Sequence, residues 1–302
     1  MLVCDMKKKT VQVLLSTYNG EKYIKEQLNS LFNQEGVIVK VLLRDDGSKD
    51  DTLKIVQEYK KLFPIKILIG NNLGFAKSFW SLVKSSGGAD YYAFCDQDDI
   101  WEKDKLKCAL NQIDKYSSEK DIPVLYTSNA IAVDNNMQIL STSAFDFHGV
   151  LTLADSLQRS VLPGCTFVFN KRLQEYAKKY NGEIIAHDWL MYQLAEIFGF
   201  VTYDDKSHIK YRIHENNTIG INSKFQILMN KIKRQFKPLD VPRRSKIVEN
   251  ILVTYGNEIP KNKRNLLLLF SNANNWKNWK KVLSIKEYRN IDFILMMFLG
   301  RI

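Results

Sequence analysis

Three aspartates, Asp96, Asp98 and Asp99, stand within four positions of one another in the stretch FCDQDDIW. They follow an apolar, aromatic run that is typical of a buried strand. Aspartate is a common turn and helix N-cap residue, so the predicted helix WEKDKLKCALNQI accounts for one of them, Asp99. Three acids at this spacing repel one another, and a divalent cation with oxygen ligands relieves the repulsion. The spacing favours a metal site over a turn.

The elements around these acids alternate between strand and helix patterns. The apolar runs predict strands in TVQVLLSTYN, IVKVLLRDDGS, IKILIG and DYYAFCDQDD, with helices in GEKYIKEQLNSLFNQ, KDDTLKIVQEYKKLF and FAKSFWSLVKSS. Such alternation predicts an α/β fold whose mostly parallel sheet has helices on both faces. Ligands of these sheets bind outside the carboxyl ends of the strands.

Polar residues follow all four predicted strands, in STYNG, RDDGS, GNNLGFA and DQDD. Turn chemistry explains each segment alone, whereas four on one sheet edge favour a shared ligand site. A nucleotide fits that edge, yet neither G-x-x-x-x-G-K-[ST] nor a G-x-G-x-x-G after the first strand is present. A cation held by Asp96 and Asp98 would then clamp a diphosphate and neutralise it as a leaving group.

Composition bounds the class of protein. With 302 residues, 45% apolar and 25% charged, the chain suits one large α/β domain with an appendage and excludes disordered and fibrous classes. The cysteines show no zinc or disulfide spacing, which predicts reduced core residues of a cytosolic protein; they are Cys4, Cys95, Cys108 and Cys165. The N-terminus lacks a signal-peptide pattern, and without an apolar run of about 18 residues we expect no membrane span.

The net charge of +11 is concentrated in the C-terminal part of the chain. Residues 1–220 contain 27 Lys and Arg against 28 Asp and Glu, whereas residues 221–302 contain 17 against 5. The site-like motifs therefore lie in the nearly neutral part, which weakens a nucleic-acid-binding interpretation. The basic segments of the tail are also partly apolar, and they predict helices with cationic faces in FQILMNKIKRQFK, RRSKIVENILVTY, NKRNLLLLFSN, WKNWKKVL and IDFILMMFL.

The strings STYNGEKYIKEQLNSLFNQ, LLRDDGSKDDT, NNLGFA and FCDQDDIW resemble the nucleotide-sugar-binding half of family two glycosyltransferases, which have the GT-A fold. The last string is most similar to bacterial rhamnosyltransferases of cell-surface polysaccharide synthesis. The resemblance covers about residues 10–220 and implies a catalytic domain over 1–220 with a basic helical extension over 221–302. It implies inverting transfer of a sugar, rhamnose favoured, from a dTDP- or UDP-sugar to a hydroxyl of a lipid-linked saccharide.

The resemblance also implies roles for individual residues around the donor. The first-strand motif lines the nucleobase pocket, the first acid of DDGS accepts the pyrimidine imide N–H, and its neighbours lie beside the ribose. The family's N-x-G motif is often followed by a basic residue and an Asn, whereas this chain continues with KSFW, where the lysine could replace the missing charge near the phosphates. The corresponding residues are Thr17, Tyr18, Asn19, Asp45, Asp46, Gly47, Asn72, Gly74 and Lys77. Two alternatives remain open, namely that Asp46 and Ser48 only cap the following helix and that Lys77 is a solvated surface residue.

In the same family the first acid of the D-x-D motif, here Asp96, faces the sugar and ribose, and the last, Asp98, binds Mg²⁺ or Mn²⁺. His214, in KYRIHENNTIG, is placed where related enzymes complete the metal coordination. Arg212 and Asn217 of the same segment are phosphate-binding candidates or part of a polar turn. The remaining histidines, His148 and His208, are expected at the surface.

Asp188, in AHDWLMYQLA, matches the general base that takes the acceptor proton opposite the departing diphosphate. Its place before an apolar helical run makes an N-cap the alternative. Its neighbours His187 and Trp189 would shape the acceptor site.

Several classes of function stay open at this point. The leading hypothesis is a metal-dependent glycosyltransferase at the cytosolic face of the membrane, because acceptors of similar enzymes are lipid-linked and Trp276 and Trp279 could sit at the lipid interface. The alternative for the tail is a helical bundle packed on the catalytic domain. A sugar nucleotidyltransferase is the second hypothesis, although its Gly-rich phosphate loop is absent, and a nucleic-acid-binding protein is the third.

Overall fold

The computed structural model describes residues 8–117, 121–145, 147, 151–214, 244–272 and 281. The strands are β1 Lys9–Thr17, β2 Val37–Asp45, β3 Ile65–Ile69, β4 Tyr91–Cys95, β5 Ile100–Trp101, β6 Val124–Val133, β7 Ile139–Ser141, β8 Val168–Asn170 and β9 Phe200–Arg212. The helices are α1 Ile24–Phe32, α2 Thr52–Lys60, α3 Phe75–Ser85, α4 Lys105–Ser117, α5 Leu153–Gln158, α6 Lys171–Lys179, α7 His187–Phe198, α8 Arg244–Tyr255 and α9 Lys261–Ser271.

The strands form one sheet in the order β3-β2-β1-β4-β8-β6-β9-β5, with β7 paired to β6. The first four strands pair in parallel, as do the long strands β6 and β9, while β8 runs antiparallel to both β4 and β6. The predicted α/β fold with a mostly parallel sheet is confirmed.

Helices cover both faces of this sheet, which explains why its central strands are apolar without alternation. Along β1, Leu14 packs with residues of α3 and of α5 to α9, whereas Val13 and Leu15 pack with residues of α1, α2 and α4. Parallel pairing sets Thr17 beside Asp45, and Leu15 beside Cys95 one residue before Asp96. The carboxyl ends of β1, β2 and β4 therefore meet at one edge.

One prediction about the segment after β4 is wrong. The helix expected from Trp101 onwards begins only at Lys105, and Ile100–Trp101 forms β5, which pairs antiparallel with Ile209 and Lys210 of β9. The Trp101 N–H also donates to Ser30 Oγ of α1 at 3.1 Å. These long-range bonds override the local helix pattern.

The described part of the basic tail packs on the catalytic core. Ile247, Val248 and Ile251 of α8 and Leu267 and Phe270 of α9 are buried in the same cluster as α5 to α7. The Tyr255 hydroxyl donates to the Tyr176 carbonyl at 2.8 Å. These two helices thus follow the packed-bundle alternative, whereas the segment with Trp276 and Trp279 lies outside the described residues. Among the described helices, none combines the length and apolar character that crossing a membrane requires.

Candidate active site

Three loops at the carboxyl edge are tied together by hydrogen bonds. The Tyr18 N–H donates to Gln97 Oε1 at 2.8 Å, and Gln97 Nε2 donates back to the Tyr18 carbonyl at 3.1 Å. The Asn19 N–H donates to Ser48 Oγ at 2.9 Å. A Cβ at Gly20 would lie 2.3 Å from Gln97 Oε1, so a larger residue there would displace the Gln97 side chain. The loops after β1, β2 and β4 consequently form one surface, on which the Tyr18 side chain is 45% exposed.

Asp45 organises the turn after β2. Its buried carboxylate accepts the N–H groups of Gly47 and Ser48 on Oδ1, at 3.1 and 2.9 Å, and the hydroxyls of Thr17 and Ser48 on Oδ2, at 3.1 and 2.5 Å. Gly47 has φ +89°, a left-handed conformation that favours glycine. The predicted contact of Asp45 with an imide N–H stays a prediction, and in this conformation the carboxylate already accepts four hydrogen bonds.

Asp46 holds the segment before α3. It forms a buried ion pair with Arg44 and accepts the N–H groups of Leu73 and Gly74 at 2.8 and 3.0 Å. Arg44 Nη2 donates to the Asn71 carbonyl at 2.9 Å. The loops after β2 and β3 are thereby joined by one charge pair.

The alternative that Asp46 and Ser48 only cap the following helix is wrong. The N–H of Thr52, the first residue of α2, donates to Asp50 Oδ1 at 3.1 Å instead. Asn72 Oδ1 accepts the Gly74 N–H at 2.9 Å, and Asn72, Gly74 and Lys77 are all exposed at the start of α3. This exposure agrees with a solvated Lys77 as well as with one that meets a phosphate.

Among the described residues, Asp99 after β4 lacks the full set of hydrogen-bond partners that the β2 aspartates have. Asp99 is buried, its Oδ1 accepts the Arg212 N–H at 3.3 Å, and its Oδ2 has no hydrogen-bond partner among the described residues. The interpretation of Asp99 as a helix cap is therefore wrong, because α4 begins six residues later. Burial, followed by the charges of Asp98 and Asp96, raises the Asp99 pKa well above its usual range.

Asp96 experiences the same excess of negative charge. Burial, followed by the charges of Asp98 and Asp188, raises the pKa of Asp96 to about 8. A divalent cation would stabilise the ionised carboxylates here, and oxygen donors are the ligands that Mg²⁺ and Mn²⁺ prefer. The donor set and the unpartnered buried oxygen of Asp99 fit such an ion.

The end of β9 brings His214 to this loop. His214 Nε2 lies 2.8 Å from Asp98 Oδ2, and its ring stacks on Tyr23 with the centroids 5.2 Å apart. Two of the three residues predicted to bind the metal, Asp98 and His214, are therefore neighbours. Arg212 is buried, with Nε donating to the Asp98 carbonyl at 2.9 Å and Nη2 paired with Glu26 at 2.5 Å. Arg212 therefore binds groups of the protein, in the loop after β4 and in α1, which argues against its predicted role in phosphate binding. Asn217 lies outside the described residues.

Asp188 is the second residue of α7, whose N-cap position is occupied by Ala186. Its Oδ1 accepts the adjacent Trp189 N–H at 2.7 Å, so the N-cap alternative is wrong. A Cβ at Gly164 would lie 2.8 Å from Asp188 Cβ and 3.2 Å from Oδ2, which requires glycine in LPGCTF. Burial raises the pKa of Asp188 to about 6. Gly164 thus lies against Asp188, and the next residue, Cys165, lies with Asp96 and Asp99 in one group whose ligand atoms are within 4.8 Å of one another, so the candidate base lies close to the acidic loop.

His187 and Trp189 support Asp188 from the core side. His187 is buried and stacks on Phe79 with the centroids 4.1 Å apart, and burial lowers its pKa to about 3. Trp189 Nε1 donates to the Ser156 carbonyl at 2.5 Å. Phe75, 45% exposed, contacts the His187 ring at a centroid distance of 4.9 Å. Phe75 is thus an exposed aromatic side chain that contacts the neighbour of the candidate base.

Sequence reasoning missed several residues that build this site. Gln97 is recognisable only by its position between the acids of D-Q-D, and Gly164 only by the glycine in an otherwise apolar segment. Arg44 and Lys105 carry no local signal. Lys105 is fully buried with its ammonium 3.6 Å from the centroid of the Trp101 ring, and burial lowers its pKa to about 8.

Comparison with known proteins identifies the class of enzyme, a sugar-transferring one, to which this fold and its acidic loop belong. The profile of Glycosyl transferase family 2 matches residues 12–176, and the chain belongs to this family. It is 35% identical over 231 residues to dTDP-rhamnosyl transferase RfbG of Shigella flexneri, covering 70% of this chain and 75% of that protein. The chain is thus a glycosyltransferase that uses a nucleotide sugar, and the nucleotidyltransferase and nucleic-acid-binding hypotheses are set aside.

Solved structures establish the GT-A fold. Staphylococcus aureus TarS 1–349 in complex with UDP-GlcNAc aligns with a TM-score of 0.58 at 20% identity, over 97% of this chain and 82% of that one. The mannosyltransferase PcManGT from Pyrobaculum calidifontis, in complex with GDP-Man and Mn²⁺, aligns with a TM-score of 0.55 at 14% identity, over 98% and 80%. The predicted GT-A fold is confirmed.

Proposed function

We propose that the chain transfers rhamnose, with inversion, from dTDP-rhamnose to a hydroxyl of a lipid-linked saccharide during synthesis of a cell-surface polysaccharide. The observation that supports the reaction type is the position of Asp188, which lies against Gly164 next to the Cys165–Asp96–Asp99 cluster of the acidic loop. Burial raises the pKa of this base to about 6. The donor follows from the similarity to RfbG, named as a dTDP-rhamnosyl transferase.

The residues of this chain divide the work between binding and proton transfer. The exposed Tyr18 and the loops held by Asp45 and Asp46 receive the nucleoside. Asp96, Asp98 and His214 would hold Mg²⁺ or Mn²⁺, which supplies positive charge to the diphosphate leaving group. Asp188 accepts the proton of the acceptor hydroxyl as that oxygen attacks the anomeric carbon in a single displacement. A pKa near 6 leaves Asp188 ionised at neutral pH while making it a stronger base than an exposed aspartate.

A panel of nucleotide sugars tests the donor. With Mn²⁺ present, dTDP-rhamnose should raise the melting temperature more than UDP-GlcNAc or GDP-mannose, and a chelator should remove most of the difference. With acceptor added, dTDP should be released and the product should have the opposite anomeric configuration by NMR. Stabilisation and turnover with UDP-GlcNAc instead, the ligand seen in TarS, would overturn the rhamnose assignment.

We propose that the enzyme works at the inner face of the cell membrane, attached peripherally through its tail. The excess of 17 basic over 5 acidic residues in 221–302 supports this, since each Lys or Arg near an anionic surface contributes about 1 kcal/mol. Flotation with vesicles of phosphatidylglycerol should carry the protein upwards, and vesicles of phosphatidylcholine should not. If the protein floats equally with both lipids, the proposal of electrostatic attachment is wrong.

A further inference from the structure

A second cluster of metal-binding side chains lies where α4 meets β9. Asp104, immediately before α4, and Cys108, one turn later, face His208 of β9, and one ligand atom from each lies within 4.8 Å of the others. Asp104 Oδ1 is 3.1 Å from His208 Nδ1, and Asp104 Oδ2 is 3.7 Å from Cys108 Sγ. The prediction that His208 lies at the surface is wrong, because the residue is 5% exposed. His148 lies outside the described residues.

The imidazole of His208 stands between two carboxylates. Nδ1 faces Asp104, while Nε2 is buried without a hydrogen-bond partner among the described residues and lies 3.6 Å from Asp204 Oδ2. A neutral imidazole carries one N–H, so it can donate to only one of the two acids and presents a lone pair to the other. A cation on Nδ1 resolves this conflict, because the proton then resides on Nε2 and points at Asp204.

We propose that Asp104, Cys108 and His208 bind a divalent transition-metal ion of the zinc class, at a site distinct from the donor site. One thiolate, one imidazole and one carboxylate suit Zn²⁺ better than Mg²⁺. Ligand atoms around a tetrahedral Zn²⁺ are about 3.3 to 3.8 Å apart, from the Zn–N, Zn–O and Zn–S bond lengths. The separation of 3.1 Å between Asp104 Oδ1 and His208 Nδ1 is close to this geometry. One ligand atom from each of the three residues lies within 4.8 Å of the others, so the three ligands reach the tetrahedral spacing by moving closer together.

The surroundings provide an outer carboxylate and a route for the ion. Asp204, which accepts the Tyr126 hydroxyl at 3.2 Å, would orient His208 as the partner of Nε2–H, a common arrangement around metal-bound histidine. An open cleft of about 700 Å³, lined by Asp104 and His208, connects the cluster to solvent.

An ion here would link α4 to β9 behind the donor loop. The carbonyl of His208 accepts the Glu102 N–H at 3.0 Å, and β5 pairs with β9 next to it. The same strand ends at Arg212, whose backbone N–H reaches Asp99. The proposed ion therefore braces the strands that present the acidic loop, independently of the sugar transferred.

Cobalt titration of the chelator-treated full-length protein tests the site, with excess Mg²⁺ present to occupy the donor site. We expect one equivalent of Co²⁺ to produce a thiolate-to-cobalt charge-transfer band. Cys108→Ser should lose this band. Cys165→Ser is the matched control, because Cys165 lies in the only other such cluster found among the described residues, with Asp96 and Asp99, and it should keep the band.

A second measurement covers variants that fold poorly. Asp104→Asn changes a side chain that is 47% exposed, so its circular dichroism should match the parent while its Co²⁺ Kd rises at least about tenfold. With the same excess of Mg²⁺ occupying the donor site, Zn²⁺ should raise the melting temperature of the parent and of Cys165→Ser but leave that of Cys108→Ser unchanged. Absence of the band in the parent, its persistence in Cys108→Ser, or an unchanged Kd in Asp104→Asn would overturn the proposal.

Discussion

Two loops on either side of β1 each carry a pair of adjacent aspartates and use them differently. After β2, Asp45 accepts four hydrogen bonds and Asp46 pairs with Arg44 while accepting two backbone N–H groups. After β4, Asp99 leaves one buried oxygen without a partner in the described part of the chain, and burial and mutual repulsion raise the pKa of both Asp96 and Asp99. Carboxylates whose oxygens already accept hydrogen bonds stabilise the loop after β2, whereas the carboxylate oxygen without such a bond after β4 is available to bind a cation.

The largest expected effect comes from Asp98→Asn in the β4 loop. The amide is a weaker metal ligand than the carboxylate, so turnover should fall about 10³-fold or more. A fall of this size corresponds to losing the several kcal/mol of charge stabilisation that a metal supplies. Calorimetry with dTDP should show weaker binding only when Mg²⁺ or Mn²⁺ is present. Parental turnover in this variant would end the metal role of Asp98.

Asp188→Asn separates chemistry from binding. We expect kcat to fall by about 10² to 10⁴, the usual contribution of a positioned base, while donor and metal binding stay nearly intact. Single-turnover assays with saturating donor and acceptor measure this difference. Near-parental kcat would mean that another group takes the proton.

Asp46→Ala tests the β2 loop as a structural element. Removing one partner of a buried ion pair leaves Arg44 uncompensated, and the free energy of unfolding should fall by about 3 to 5 kcal/mol. Urea denaturation of the metal-free protein measures the change. Asp98→Asn serves as the matched control, since it removes repulsion and should not destabilise; equal destabilisation of both variants would erase the contrast between the loops.

Asp45→Ala should have a smaller effect on ligand binding. If the carboxylate accepts the imide N–H, its loss raises the Kd for dTDP about tenfold or more, from a charged hydrogen bond of roughly 1.5 to 3 kcal/mol. Calorimetry on a variant whose fold is verified by circular dichroism tests this. Unchanged affinity would confine Asp45 to holding the turn.

The pH dependence of kcat is the smallest of the expected effects. The general base must be ionised, so kcat should halve near the Asp188 pKa of about 6 and fall about tenfold per pH unit below it. Rates should be measured with saturating substrates from about pH 4.5 to 8, the range in which carboxylates of raised pKa titrate. They show whether kcat falls or rises on acidification. A rate that rises on acidification would show that the group acts in its protonated form.

The strand and helix order could be predicted because each element carries its own apolar period, and the ligand edge because polar residues follow each strand. The contact partners of individual side chains could not be predicted from the sequence. Asp99 lies next to β9 instead of capping a helix because Trp101 pairs with Ile209, and no local sequence pattern predicts this long-range pairing. The buried position of His208 and the approach of Gly164 to Asp188 are likewise set by packing between distant segments.

The Arg212–Glu26 pair has a consequence for biosynthesis. Its two residues are 186 positions apart, a distance that a ribosome adding 5 to 20 residues per second takes about 10 to 40 s to cover. Until β9 emerges, the nascent chain has the first strands and helices of its donor edge but lacks the arginine behind the acidic loop and the histidine beside Asp98. The enzyme therefore becomes able to use its donor only late in translation, and a chain interrupted before residue 212 would be inactive even where its first four strands had folded.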